Sequence, residues 1–223
     1  MISLTNLTFG NTNIKSYLCT APGIIAALVD LLESNSEQLH KAASHLLRNL
    51  AWKADKASKV CLSRGGVVSI LVSTAMRISA SHLQLTAKGR TVEPGGSEQT
   101  IKVVLSALWN LSAHCRRNKV EVCEEPGSLV FLVELLRSSS TTIVENSGGI
   151  LRNISSHIAM ADKAEVYRAV LREENCLALL LDHLRSSSLT IVSLLANLAT
   201  FSSIIASATW LSRSELDSEL CTL

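Results

Sequence analysis

Aromatic side chains are scarce in this sequence, at 4% of residues, and proline occurs three times. So thin an aromatic supply argues against a β-sandwich, whose strands lean on Val, Thr, Tyr and Phe. Leu, Ala and Ser abound instead, which favours helices. No C-x-x-C pair occurs among the six cysteines (Cys19, Cys61, Cys115, Cys123, Cys176 and Cys221). They read as buried thiols of a reducing compartment rather than as disulfides or zinc ligands. The opening "MISLTNLTFG" has neither a basic region nor a long apolar run, so it is not read as a signal peptide, and a cytoplasmic chain is expected. The formal charge of +2 is too small to argue for nucleic acid or an anionic membrane. H-E-x-x-H, P-loop and G-x-S-x-G patterns are all missing, His45, His114 and His157 lack metal-ligand spacing, and no cofactor or enzymatic role is expected.

What is present is a large apolar fraction, 47% of 223 residues, enough for a sizeable core. The uncharged stretch from Ser186 to Ser212 has the length of a bilayer span. Asn197 and many hydroxyl residues dilute it, and its first half fits a repeat, so membrane insertion is not expected.

The repeat is carried by asparagines. "LTNL" at 4–7, "LRNL" at 47–50, "LWNL" at 108–111 and "LRNI" at 151–154 share one pattern, with Asn6, Asn49, Asn110 and Asn153 spaced by 43, 61 and 43 residues. The excess of 18 coincides with "SASHLQLTAKGRTVEPGGS" (79–97), rich in Gly, Ser and Thr, which reads as an inserted surface loop. Glycines give the same register: Gly23 precedes Asn49 by 26 residues and Gly127 precedes Asn153 by 26, whereas Gly66 precedes Asn110 by 44. "LRSSSTTIV" at 136–144 and "LRSSSLTIV" at 184–192 match as well. A period near 43 implies a helical solenoid.

Each unit reads as a short helix, a Gly or Asn, a second helix, and a long third helix bearing the asparagine. Three helices per unit favour armadillo over HEAT repeats. Leu129, Leu132, Val133 and Leu136 give the second helix one buried face, and the third helices are apolar nearly all round, so neighbours must sandwich them. The expected fold is an all-α, right-handed superhelical armadillo solenoid of about four units with truncated ends, over residues 1–202. The units fall near 1–16 (partial), 17–55, 56–116, 117–162 and 163–202, followed by a divergent tail at 203–223. Asn197 comes 22 residues after Asn175 rather than 26, so it either keeps its face one turn early or belongs to an unrelated ending.

Small residues flank the asparagines at helical spacing, such as Ser106 and Ala113 around Asn110 and Gly149 around Asn153, which leaves the carboxamides uncovered. A carboxamide donates and accepts, so it suits the backbone of an extended peptide whatever its side chains. Units stacked about 8–10 Å apart put one Asn at roughly every third peptide residue. The plainer alternative is that each Asn bonds a loop carbonyl of the next repeat. Arg48, Trp109 and Arg152 precede asparagines, and Phe9 and Trp52 follow three residues after them; arginines fork onto carboxylates and tryptophans offer stacking surface.

These residues, with "LTNLTFG", "LRNLAWKAD", "VLSALWNLSAHCRRNK", "SGGILRNISS", "LREENCL" and "HLRSSSLTIVS", closely resemble the armadillo domain of the adenomatous polyposis coli (APC) family over residues 4–193. The resemblance implies a non-enzymatic scaffold in Wnt/β-catenin signalling and the cytoskeleton, with a peptide groove lined by Asn6, Phe9, Lys15, Arg48, Asn49, Trp52, Trp109, Asn110 and Asn153, joined by Arg152 from its place beside Asn153. It also implies partners such as a Rho-family exchange factor, a kinesin-associated protein and an APC membrane-recruitment protein, and a place in the cytoplasm, at the cell cortex or on the cytoskeleton. The β-catenin-binding segments that the family carries elsewhere are not in this chain, so direct capture of β-catenin is not expected. The competing reading is a truncated, non-binding fragment that oligomerises or competes with a longer scaffold.

Overall fold

The computed structural model describes residues 2–87, 96–113, 115–158 and 161–185, and every regular element among them is helical. The chain divides into two compact units at Glu125–Pro126. Asn197, Trp210, Cys221, His114 and the uncharged 186–212 stretch lie outside the described residues. Among the described residues no single helix is long and apolar enough to cross a membrane.

The first unit holds α1 (Ile2–Thr8), α2 (Thr12–Thr20), α3 (Ile24–Glu33), α4 (Glu37–Ala51), α5 (Lys56–Arg64), α6 (Val67–Ala87), α7 (Gly96–Ser112) and α8 (Arg116–Glu124). They pack as three rows: α1, α4 and α7 form one, α2, α5 and α8 another, and α3 with α6 the third. Helix starts are written locally. Asn11, Ser36 and Asp55 each accept the amide N–H of the residue three positions on, satisfying a donor that the first turn would otherwise leave open.

Glycine recurs between first and second helices because the chain there turns through the left-handed region, at φ +79° for Gly23 and +76° for Gly66. In the second unit Gly127 (+76°) and Asn175 (+54°) take the same place, Asn being the residue that tolerates that conformation best after Gly. The second ruler in the sequence is therefore a backbone requirement.

The third helices are buried as their all-round apolarity predicts. Leu46, Leu47 and Leu50 on α4 and Leu105, Leu108 and Leu111 on α7 are each at most 2% exposed. Truncating one of them to Ala costs about 2–5 kcal/mol.

The expected inserted loop at 79–97 needs correction. Residues 79–87 continue α6 and 96–97 open α7. "SASHLQLTA" contains no Gly or Pro and supplies Ala, Leu and Gln, so nothing local stops the helix; the breakers come later, from Gly89 onward.

The second unit holds α9 (Ser128–Glu134), which tightens into a 3-10 turn at Leu135–Arg137, then α10 (Thr141–Ile158), α11 (Ala164–Glu173) and α12 (Cys176–Arg185). Its second-helix row repeats a device of the first unit. Thr74 and Arg77 on α6 donate to the Leu32 carbonyl at 3.5 and 2.8 Å, and His183 on α12 donates to the Leu136 carbonyl. Leu32 and Leu136 stand nine residues after Gly23 and Gly127, and Thr74 and His183 eight after Gly66 and Asn175. Each bond fills an acceptor at a helix end that no intrahelical amide reaches.

Cys19, Cys115, Cys123 and Cys176 are buried free thiols and Cys61 is half-buried. Burial pushes the thiols of Cys123 and Cys176 up to about 12 and that of Cys19 up to about 11, since the low-dielectric interior penalises the thiolate.

Candidate peptide-binding groove

Three helices of one row, α1, α4 and α7, build the site, and the asparagines of the last two join them. Asn49 Nδ2 on α4 donates to the Thr5 carbonyl on α1 at 2.9 Å, and Asn110 Nδ2 on α7 donates to the Arg48 carbonyl on α4 at 3.2 Å. Thr5 and Arg48 are the residues just before the preceding asparagine, so each carboxamide bonds the carbonyl one residue ahead of the rung before it. The acceptor is a helix carbonyl of the preceding repeat, not a loop carbonyl of the next. The expectation of an uncovered carboxamide is corrected for Asn49, which is 8% exposed; half-buried Asn110 keeps more open surface. Each amide spends one N–H on the scaffold, and among the described residues neither makes a further hydrogen bond, so one N–H and the carbonyl oxygen remain to be matched.

Beside them lies an open cavity of about 420 Å³ lined by Phe9, Arg48, Asn49, Trp52, Ser106, Trp109 and Asn110. Six of the ten residues expected from sequence converge there. Ser106 was legible only as the small neighbour of Asn110; four residues earlier on α7, it shares that face and forms part of the wall.

The aromatic wall is held from below and from the side. Phe9 and Trp52 lie parallel, with ring centres 6.1 Å apart and planes within 2°. Lys15 Nζ donates to the Trp52 carbonyl at 2.8 Å and sits 5.0 Å from the ring centre, while Lys53 Nζ sits 4.7 Å from it. Lys15 is thus buried under the wall rather than lining the cavity. Burial, with Lys53 adding to it and Cys19 opposing, holds its ammonium below the ordinary lysine value. Lys59, 44 residues on, repeats the device by donating to the Ala113 carbonyl at 2.8 Å, and burial lowers its pKa too. Lys15 caps the C-terminal end of α4 and Lys59 that of α7, where the helix dipole favours a cation.

Three expected residues stand apart. Asn6 is exposed and does not line the cavity. Arg152, exposed, and Asn153, half-buried, lie on α10 in the second unit. Among the described residues no group of three or more His, Cys, Asp or Glu is placed to hold a metal ion. Among the described residues, the cavity lining holds no carboxylate and no nucleophile beside a base; it offers stacking faces, one arginine and two half-used carboxamides.

No family model matches the chain. Human adenomatous polyposis coli protein 2 and human adenomatous polyposis coli protein are each 46% identical to it over 196 residues, 86% of this chain. Adenomatous polyposis coli protein-related protein 1 of Caenorhabditis elegans is 30% identical over 193 residues. The chain spans only 8%, 6% and 14% of the lengths of these three relatives. Among solved structures, two designed armadillo repeat proteins superpose with TM-scores of 0.69 and 0.66 over 98% of the chain, at 22% and 20% identity; they cover 78% and 87% of those chains, and the second is a complex with the peptide (KR)4. With its helices, its asparagine register and these relatives taken together, the chain belongs to the adenomatous polyposis coli family, as a segment of its armadillo-repeat region.

Proposed function

We propose that this scaffold segment binds a partner protein's extended peptide along the α1–α4–α7 row, with Asn49 and Asn110 pairing to peptide backbone and Trp52, Phe9 and Trp109 stacking on its side chains. The observation that supports the reading most is the convergence of aromatic faces, Arg48 and two half-used carboxamides in one open cavity. A carboxamide pinned through one N–H is pre-oriented, so little rotamer entropy is lost on binding. Backbone pairing gives affinity without side-chain preference, and the aromatic and cationic groups supply selectivity. By kinship, the partners include a Rho-family exchange factor, a kinesin-associated protein and an APC membrane-recruitment protein. The role is the family's negative regulation of Wnt/β-catenin signalling and its part in cytoskeletal organisation and cell migration, exerted in the cytoplasm or at the cortex.

The test is fluorescence-polarisation binding of fluorescein-labelled peptides of about ten residues, long enough to pass three rungs. Trp109→Ala and Asn110→Ala should weaken binding at least about tenfold while each melting temperature stays within a few degrees of the parent. Undiminished binding by the double variant would overturn the assignment.

A further inference from the structure

The first helices α2, α5 and α8 are each nine residues long and stack as one row. Lysine fixes their register. The fourth residue of α2 and of α5, Lys15 and Lys59, donates to the carbonyl three residues past an asparagine rung, at Trp52 and Ala113. In that register the eighth residues are Cys19, Ser63 and Cys123, all buried, and the sixth are Tyr17, Cys61 and Glu121. Ser63 Oγ donates to Glu121 Oε1 at 2.6 Å, so the eighth residue of one helix faces the sixth of the next. One repeat earlier, the same relationship sets Cys19 of α2 opposite Cys61 of α5.

The surroundings of Cys19 agree. The Ser58 side chain lies within hydrogen-bond reach of its sulfur, and Cys61 and Asp55 are close enough to act on its charge. Ser58 and Cys61 stand three residues apart on α5 and share a face. Helix axes about 8–10 Å apart, with Cα atoms about 2.3 Å off each axis, leave facing Cα atoms about 4–6 Å apart. A disulfide spans about 4–7 Å between Cα atoms.

We propose that Cys61 is a site of oxidative modification by hydrogen peroxide, and that Cys19 is its resolving thiol, converting the oxidised Cys61 into a disulfide between α2 and α5. Cys61 is the half-buried member of the pair and Cys19 the buried one, so the oxidant meets Cys61 first. The Cys61 thiolate attacks one peroxide oxygen. The O–O bond breaks, two electrons pass from sulfur to peroxide, and Cys61 sulfenic acid and hydroxide remain. The Cys19 sulfur then attacks the Cys61 sulfur: the S–S bond forms, the S–O bond breaks, and the Cys19 proton leaves with the hydroxyl as water. Two thiols and one peroxide give one disulfide and two waters overall. Burial pushes the Cys19 thiol up to about 11, which keeps it protonated and leaves the first step to Cys61. The bond ties together the two helices whose lysines hold the ends of α4 and α7, and it arrests oxidation at a stage that a thiol reductant reverses. None of this depends on a peptide occupying the groove.

The test is peptide mapping of the full chain after exposure to hydrogen peroxide, with and without the sulfenic-acid trap dimedone. Unreduced tryptic digests should give segment 16–41 joined to segment 60–64, and dithiothreitol should separate them. Cys19→Ala should lose that product and carry at least about fivefold more dimedone on Cys61 than the parent. Cys19→Ser repeats that arm with a side chain closer in size, and Cys61→Ser should form neither product. Equal dimedone labelling of Cys61 in the parent and both Cys19 variants overturns the assignment. So does a disulfide from Cys61 to any thiol other than Cys19 of its own chain, or a parent Cys61 that stays reduced under peroxide that oxidises free cysteine.

Discussion

The ammonium of Lys15 donates to the carbonyl of Trp52 at 2.8 Å while lying 5.0 Å from the centre of the same residue's ring. One buried cation thus closes the end of α4 and fixes the orientation of the aromatic wall. Lys15→Met keeps the aliphatic stem and removes the donor. It should lower stability by about 1–3 kcal/mol, the cost of a buried acceptor losing its partner, and weaken peptide binding by more than a matched loss of stability elsewhere does. Denaturant melts and peptide titrations on one sample separate the two effects.

Lys59→Met is the control for that experiment. Its bond to the Ala113 carbonyl caps α7 in the same way but touches no residue of the aromatic wall. A comparable fall in stability is expected, about 1–3 kcal/mol, with peptide affinity nearly unchanged.

Asparagine substitution should not be neutral to the fold, because each rung is also an interhelix bond. Asn49→Ala and Asn110→Ala are each expected to cost about 1 kcal/mol. Both acceptors keep a second donor, the Thr5 carbonyl the Thr8 hydroxyl at 2.8 Å and the Arg48 carbonyl the Trp52 amide at 3.0 Å, and Asn110 is the milder of the two because it is less buried. Urea melts of the two variants give the ranking directly.

The left-handed turns make a backbone prediction. Gly127→Ala, at φ +76°, should cost about 1–2 kcal/mol. Asn175→Gly should be neutral or slightly stabilising and Asn175→Ala destabilising, because of these two replacements only alanine places a Cβ in that region, and it lacks the side-chain hydrogen bond that Asn175 makes to the Glu173 carbonyl. Thermal melts of the three variants check the order.

Alkaline stability follows from the thiols. Cys123 and Cys176 hold their protons to about pH 12 in the folded chain but release them near pH 9 when it unfolds, so the folded state binds more protons above pH 9 and stability falls as pH rises. Lys15, Lys59 and Lys119, whose values burial lowers, work in the opposite sense between their depressed values and the unfolded one. Cys176→Ala should flatten the decline of melting temperature between about pH 9 and about pH 10. In the native protein a thiol reagent should label Cys61 ahead of the four buried thiols.

Much of this architecture is legible in the residues, because a repeat exposes what each position must do. Asn49 and Asn110 stand out as polar residues in apolar helices, and Gly23, Gly66, Gly127 and Asn175 mark a turn that few other residues tolerate. Lys59 and the internal bonds of the asparagines were not legible in the same way. A lysine on a short amphipathic helix reads as solvated, and only the packed helices show that its ammonium reaches a carbonyl at the end of another helix. The first half of the 79–97 segment was misread because its Ser and Thr suggest a loop, while the residues that break a helix are confined to its second half.

The bonds Asn49–Thr5 and Asn110–Arg48 are alike in donor, acceptor and register, although 43 residues of chain separate the first pair of rungs and 61 the second. Chain length between rungs is therefore uncoupled from the pitch of the reading surface. A connection can lengthen or acquire a sequence of its own while the asparagine row keeps its register, which leaves such a protein free to vary the loops between its helices without disturbing the face that the asparagines align.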